Sequence, residues 1–290
     1  MSEVWTIQSA LNWCQGYLER HGDENPRLSA QWLLSFATGL SRIEVYTHFD
    51  QPLSLDERDV LRDAVRRRGA GEPLQYIQNA APFRYLMLYV EPGVLIPRPE
   101  TEILVDEALK LCHEWDEETV NVVDCCTGSG CIACSIATEL PSTQVIATDI
   151  SPEALKVARR NVADLQIGER VDVQESDLFA CIESDSVHVI ASNPPYVPTA
   201  VMQELPDEVA QFEPELALEG GADGLDIFRR MLPEMNRVLH AGGSFICELH
   251  ETCLNDAVAL AEAAGFVRTR IVKDLTDRPR FIVAYKENIQ

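Results

Sequence analysis

VNVVDCCTGSGCIACSIATELPSTQVIATD, residues 120–149, decides the fold. VNVVDC and QVIATD are apolar runs of strand length, and CIACSIATEL between them reads as a helix that starts near Gly130. Strand, glycine-containing turn, helix and strand in that order form a unit whose two strands run parallel, because a helix is the usual crossover between parallel neighbours. The pattern continues outward. RVDVQ and VHVIAS follow, the second of them preceded by a loop, and GSFICEL, FVRTRIV and RFIVAYK bring the strands to seven. The expectation is an α/β fold with a parallel-type sheet. Ligands of such sheets bind beyond the carboxyl ends of the strands, where DCCTGSGC, Asp149 and NPPY all fall.

Residues 1–78 read as helices without a strand. Asn25 and Pro26 place an N-cap and an N1 proline ahead of LSAQWLLSFATGL, whose apolar residues recur at helical spacing up to Gly39. Ser54 and Glu57 form a capping box for a helix that stops at Gly69 and Gly71. In residues 79–97, FRYLMLYV and VLIP flank Glu91-Pro92-Gly93, which predicts a β-hairpin linking the helical domain to residues 98–290.

A chain of 290 residues is long enough for one large or two ordinary domains with a proper core. Its 46% hydrophobic and 24% charged residues are ordinary for a soluble globular protein, but its net charge of −23 is not. Such a surface repels phosphate backbones and argues against nucleic acid as the main partner. The one basic run, Arg66, Arg67 and Arg68, falls at the end of a predicted helix, where cations complement the dipole. No apolar run approaches the roughly 18 residues of a membrane span. MSEVWTIQ lacks the basic start and apolar middle of a signal peptide, so a cytoplasmic protein is expected. Nine cysteines fit reduced thiols better than a disulfide framework. Cys126, Cys131 and Cys134 have the spacing of iron–sulfur ligands, yet the last two lie three apart on a helix, where buried thiols act as small hydrophobes. No metal site is expected.

In DCCTGSGC, residues 124–131, a strand runs into a glycine-containing turn and then a helix, which lets backbone N–H groups approach a ligand closely. Asp149, at the end of the next strand, is the acceptor expected for ribose hydroxyls, and it is equally placed to face the helix that Ser151 and Pro152 start. Together they point to an adenosyl ligand. A nicotinamide dinucleotide is disfavoured, because Ala133 stands in for the third glycine of that fingerprint and Cys126 heads the turn. ASNPPYVP, residues 191–198, ends the strand VHVIA, since two prolines remove two donors and fix two φ angles. A rigid turn accounts for Asn-Pro alone. The sharper reading is a pocket that presents bare oxygen acceptors beside an aromatic wall, for a substrate with N–H groups to offer.

IPRPETEILV, DCCTGSGCIA, ATDISPEAL, SNPPYV and EPELALEGGADGLDIFRR together resemble the protein-(glutamine-N5) methyltransferase family that modifies peptide chain release factors, over essentially the whole chain. The resemblance implies a seven-stranded Rossmann-like class I methyltransferase domain behind a helical substrate-recognition domain. It implies S-adenosyl-L-methionine as donor and the glutamine of a Gly-Gly-Gln motif as acceptor. By match to the family's motifs, Cys126, Thr127, Gly128, Ser129 and Gly130 form the cofactor turn, Asp149 takes the ribose, and Asp177 and Leu178 flank the adenine. The Asn193 side-chain oxygen and the Pro194 carbonyl each accept one N–H of the substrate amide beside the cofactor's methyl; Pro195 stiffens the turn, and Tyr196 packs on the amide and excludes water. Arg98, Pro99 and Glu100 read as a helix start that also covers the cofactor. NPPY by itself also resembles the motif of DNA adenine methyltransferases. Cys126, in place of the family's first glycine, resembles a sister family that methylates a glutamine of a large-subunit ribosomal protein. ELHETC departs from the family's glycine and glutamine.

Overall fold

The computed structural model describes residues 4–288. They divide into two units. The first runs up to Ala80 and takes in Asp207–Phe212, and the second comprises Ala81–Pro206 and the chain from Glu213 onward.

The first unit contains α1 (Ile7–Arg20), α2 (Pro26–Thr38), α3 (Arg42–Thr47), α4 (Leu55–Gly69) and α5 (Leu74–Gln78). On α1, Ile7, Ala10, Leu11, Cys14 and Leu18 recur at helical spacing, and they share one core with Leu33 and Leu34 of α2 and Leu61 and Val65 of α4. The capping box of Ser54 and Glu57 starts α4, and Ser41 with Glu44 starts α3 in the same way. Pro26 opens α2, though the Asn25 side chain makes no capping bond, and Gly39 ends it at φ +71°. Arg66, Arg67 and Arg68 meet Asp63, Glu72 and Asp23 at 2.6, 2.5 and 2.6 Å, so the basic run presents no free cationic patch.

The second unit opens with a hairpin of β1 (Ala81–Phe83) and β2 (Leu86–Leu88), paired with Phe83 opposite Leu86. Its turn is therefore Arg84-Tyr85 and not Glu91-Pro92-Gly93. Arg84 takes φ +51° there, and its guanidinium is held by the Glu139 carboxylate at 2.6 and 2.7 Å. VLIP is not a strand. Val94 and Ile96 are buried outside any strand, which is why an apolar run there mimics one.

The elements that follow are α6 (Thr101–Cys112), β3 (Val120–Cys125), α7 (Cys131–Glu139), β4 (Thr143–Asp149), α8 (Pro152–Asp164), β5 (Val171–Glu175) and β6 (Val187–Ser192). After α9 (Asp207–Phe212), which belongs to the first unit, come α10 (Asp226–Val238), β7 (Leu239–Glu248), α11 (Leu254–Ala263), β8 (Phe266–Lys273) and β9 (Pro279–Lys286). All seven predicted runs enter one sheet, in the order β5-β4-β3-β6-β7-β9-β8. The sheet is mixed where a parallel-type one was expected: β9 runs antiparallel to both β7 and β8. Residues 274–278 are too short a link for a crossover, so β9 must fold straight back along β8. Helices α6 and α7 supply Leu104, Val105, Ile132 and Ile136 to one core, and α10 and α11 supply Phe228, Met231, Leu254 and Ala257 to another. Among the described residues, no helix is long and apolar enough to cross a membrane.

From β3 the chain steps out to β4 and β5, then returns to β6 on the other side of β3, which makes a topological switch point over β3 and β6. Register brings the strand ends level, with Cys125 opposite both Thr148 and Ser192, and Ser192 opposite Cys247. The turn after β3, Asp149, Asn193 and Glu248 thus reach one edge of the sheet.

Candidate active site

A cavity of about 480 Å³ opens at that edge. Of the residues predicted from sequence, Cys126, Thr127, Gly128, Ser129, Asp149, Asp177, Leu178, Asn193 and Pro195 line it. Gly130, Pro194 and Tyr196 lie outside its lining. Arg98 and Thr101 contribute to the wall, as do Val94, Leu95 and Pro97 from the segment that resembled a strand.

The turn is held from below by Asp124, whose Oδ2 accepts the Thr127 hydroxyl at 2.5 Å and the Ala133 N–H at 3.0 Å. Full burial pushes this carboxyl up to about 7. Cys126, Gly128 and Gly130 all adopt left-handed φ, +61°, +55° and +80°. Cys126 carries a Cβ into a region that disfavours it by roughly 1–2 kcal/mol, where the family's glycine would sit freely. At Gly130 a Cβ would lie 3.3 Å from that of Ala158, so glycine lets α7 approach α8. Cys131 and Cys134 are buried on α7, and burial drives the thiol of Cys134 up to about 12 and that of Cys131 higher still. They pack as neutral thiols. Among the described residues, no group of three or more His, Cys, Asp or Glu is placed to hold a metal ion.

Asp149 does structural work of its own. Its Oδ2 accepts the Gly128 N–H and its Oδ1 the Ser151 N–H, both at 2.9 Å, while burial raises its carboxyl above the usual range. Each oxygen retains a second lone pair, which suits a vicinal diol. Leu178, at φ +54°, has its carbonyl held by the Thr148 hydroxyl at 3.1 Å, and Asp177 faces Arg230 at 2.7 Å. A carboxylate for a diol, a turn that permits close backbone approach and an apolar lining fit an adenosyl group. Asp149→Asn is expected to lower affinity for S-adenosylhomocysteine roughly tenfold or more, because charged hydrogen bonds are the strong ones. Asp149→Ala is expected to lower thermal stability as well, since the N–H groups of Gly128 and Ser151 lose their acceptor. Calorimetry that finds unchanged affinity in both variants would remove Asp149 from the site.

At the end of β6 the Ser192 hydroxyl donates to the Cys125 carbonyl at 2.6 Å and pins the strand end to β3. Asn193 Nδ2 donates to Thr101 Oγ1 at 3.2 Å, and Thr101 Oγ1 donates to Glu248 Oε2 at 2.7 Å. The Tyr196 hydroxyl donates to the other oxygen, Glu248 Oε1, at 2.9 Å. Glu248 is only 1% exposed, and burial raises its carboxyl above the usual range, a rise that the two hydroxyl donors and the charge of Arg280 offset only in part. NPPY is buttressed from behind by residues 218–224. Val197 N–H donates to the Leu218 carbonyl and Gly220 N–H to the Val197 carbonyl, both at 2.8 Å, and Thr199 N–H donates to the Gly221 carbonyl at 2.9 Å.

Thr101, Glu248 and Arg230 were not singled out from the sequence. Glu248 sits in ELHETC, and the available signal was a carboxylate closing the apolar strand GSFICE. Its partnership with NPPY depends on the adjacency of β6 and β7, which composition does not reveal.

Comparison with known proteins agrees with this architecture. Residues 9–78 match the family model of the PrmC N-terminal domain and residues 101–210 that of the methyltransferase small domain. The release factor glutamine methyltransferase of Geobacter sulfurreducens is 43% identical over 264 residues, 91% of each chain. That of Rhodopirellula baltica is 40% identical over 286 residues, 97% of each chain. Among solved structures, a methyltransferase from Pyrococcus furiosus is similar with a TM-score of 0.50 at 17% identity, covering 70% of this chain and 89% of the other. The N-terminal domain of human METTL16 in complex with SAH is similar with a TM-score of 0.51 at 15% identity, covering 69% and 75%. These two likenesses show the fold, a class I methyltransferase sheet with its helices. The identity to the curated relatives over nearly the full length of both chains shows more: this chain belongs to the release factor glutamine methyltransferase family.

Proposed function

We propose that this chain methylates the side-chain amide nitrogen of a glutamine in a peptide chain release factor, the glutamine of the Gly-Gly-Gln motif that the sequence resemblance implies. The observation that carries the reading is Asn193 on the cavity wall with its NH₂ group turned to Thr101, in a chain 40–43% identical to proteins of that name. S-adenosylmethionine supplies an electrophilic methyl on a sulfonium. The protein's task is the acceptor, because an amide nitrogen is a poor nucleophile whose lone pair is delocalised into its carbonyl. Asn193 Oδ1 takes one amide N–H from the cavity wall, the carbonyl of Pro194, next in the chain though outside the cavity lining, takes the other, and the nitrogen is turned towards the methyl, at the ~3–3.5 Å separation from which displacement proceeds. A nitrogen–carbon bond forms as the sulfur–carbon bond breaks. The methylated amide nitrogen then loses a proton to water, being strongly acidic, so no resident base is required.

One glutamine side chain offers too little surface to be chosen among many, so selection must come from contacts remote from the amide. The helical first unit serves that purpose. A protein lacking residues 1–78 is expected to bind S-adenosylhomocysteine and yet fail to methylate the intact release factor; normal transfer by the folded truncation would refute the assignment. The site of action is the cytoplasm, in keeping with nine free cysteines. The ribosomal-protein and DNA readings are tested together by offering release factor, ribosomal proteins and DNA to the enzyme with labelled donor. Label is expected in the release factor. Label in a large-subunit ribosomal protein or in DNA instead would replace this function.

A further inference from the structure

We propose that Thr101 and Glu248 are positioning residues that decide which end of the Asn193 amide faces the substrate. The inference rests on the reading of Asn193 as an acceptor for the substrate amide. An asparagine is nearly symmetric in shape, and its two ends differ only in hydrogen-bond polarity. Turned the wrong way, Asn193 would present N–H to a substrate N–H and repel it. Something in the fold must therefore select the orientation.

The selection follows from a proton count. A threonine hydroxyl has one proton, and that of Thr101 goes to Glu248 Oε2 at 2.7 Å. Its oxygen is left as an acceptor, so only the NH₂ end of Asn193 can meet it, at 3.2 Å. Oδ1 is thereby kept off this contact and left for the substrate, Asn193 being one of the residues that line the cavity. Glu248 in turn accepts on both oxygens, from the Thr101 hydroxyl at Oε2 and from the Tyr196 hydroxyl at Oε1, 2.9 Å away, and the positive charge of Arg280 works against the burial that raises its carboxyl. The chain from Glu248 through Thr101 to Asn193 also polarises each member, which makes Oδ1 a stronger acceptor than an isolated amide oxygen. Three elements converge to build it: the first residue of α6, the end of β7 and the residue after β6.

The test is a double-mutant cycle read in single-turnover methylation of the release factor, with donor affinity measured alongside. Thr101→Val keeps the side-chain shape and deletes the hydroxyl. It is expected to cut the methyl-transfer rate about tenfold or more with affinity for S-adenosylhomocysteine unchanged, since loss of alignment acts on the chemical step. Thr101→Ser, which restores a hydroxyl, should recover most of the lost rate. In an Asn193→Ala background Thr101→Val should cost almost nothing further, because the side chain it positions is gone. Glu248→Gln, carried through the same cycle, gives a second determination if Thr101→Val does not fold. Rates of Thr101→Val and Glu248→Gln equal to wild type, or losses that multiply with that of Asn193→Ala, overturn the relay. A wild-type rate for Asn193→Ala would instead overturn the reading of NPPY on which it rests, and the two failures are told apart by that single variant.

Discussion

Asn193→Ala is expected to bind S-adenosylmethionine as well as wild type does and to lose roughly 10²–10³ in turnover, the usual cost of removing one preorganised polar contact from an active site. The asymmetry between binding and rate follows from where the side chain is engaged. Its NH₂ end is committed to Thr101, so the part that alanine removes from the cavity is the oxygen assigned to the acceptor substrate. Asn193→Asp is more informative than it looks from sequence. It keeps an oxygen towards the substrate, but it sets a second carboxylate against the Thr101 hydroxyl that already donates to Glu248. Its rate is expected between those of the alanine variant and wild type. A rate for Asn193→Ala within twofold of wild type in single-turnover methylation would leave NPPY a structural turn only.

The second large effect is expected at a position outside the cavity lining, Gly220. A Cβ on Gly220 would lie 2.6 Å from Tyr196 Cα, 2.8 Å from its carbonyl carbon and 2.9 Å from the Gly224 carbonyl oxygen. All three are backbone atoms, which cannot swing aside as a flexible side chain would. Gly220→Ala must therefore push the NPPY segment or break the bond from Gly220 N–H to the Val197 carbonyl. Destabilisation of about 1–3 kcal/mol is expected, the usual range for overpacking, together with a fall in turnover comparable to that of Asn193→Ala. Affinity for S-adenosylhomocysteine should change little, because the turn after β3 and Asp149 lie on other strands. A melting temperature and a turnover both matching wild type would show that residues 218–224 do not brace the site.

What was legible in the sequence and what was not divide along the distance between partners. The seven strand runs, the glycine-containing turn, Asp149 and NPPY were readable because each is local, an apolar run followed by a turn or a breaker. Helix caps at Ser54 and Gly39 were readable for the same reason. The hairpin was placed one turn too late, since VLIP is apolar to cover the cavity rather than to pair in a sheet. The antiparallel insertion of β9 between β7 and β8 was missed because a period-two pattern does not record direction. The relay behind Asn193 was missed for a deeper reason. Its hydrogen bonds join residues 92 and 147 positions apart, and only the sheet order brings them together. The glycines of EGGADGL matched a family pattern, but their cause became visible only with the Tyr196 backbone lying against Gly220 and Gly224 and the Asp226 side chain against Gly221.

Whether the cavity presents acceptors to a glutamine side chain of a release factor is decided by mapping the product. The enzyme is incubated with methyl-labelled S-adenosylmethionine and two forms of the release factor, one natural and one with the glutamine of its Gly-Gly-Gln motif replaced by glutamate, and the label is located by peptide fragmentation. A single methyl is expected on that glutamine's amide nitrogen in the natural protein and none in the glutamate form. Equal labelling of both forms, or label on any other side chain, would contradict it.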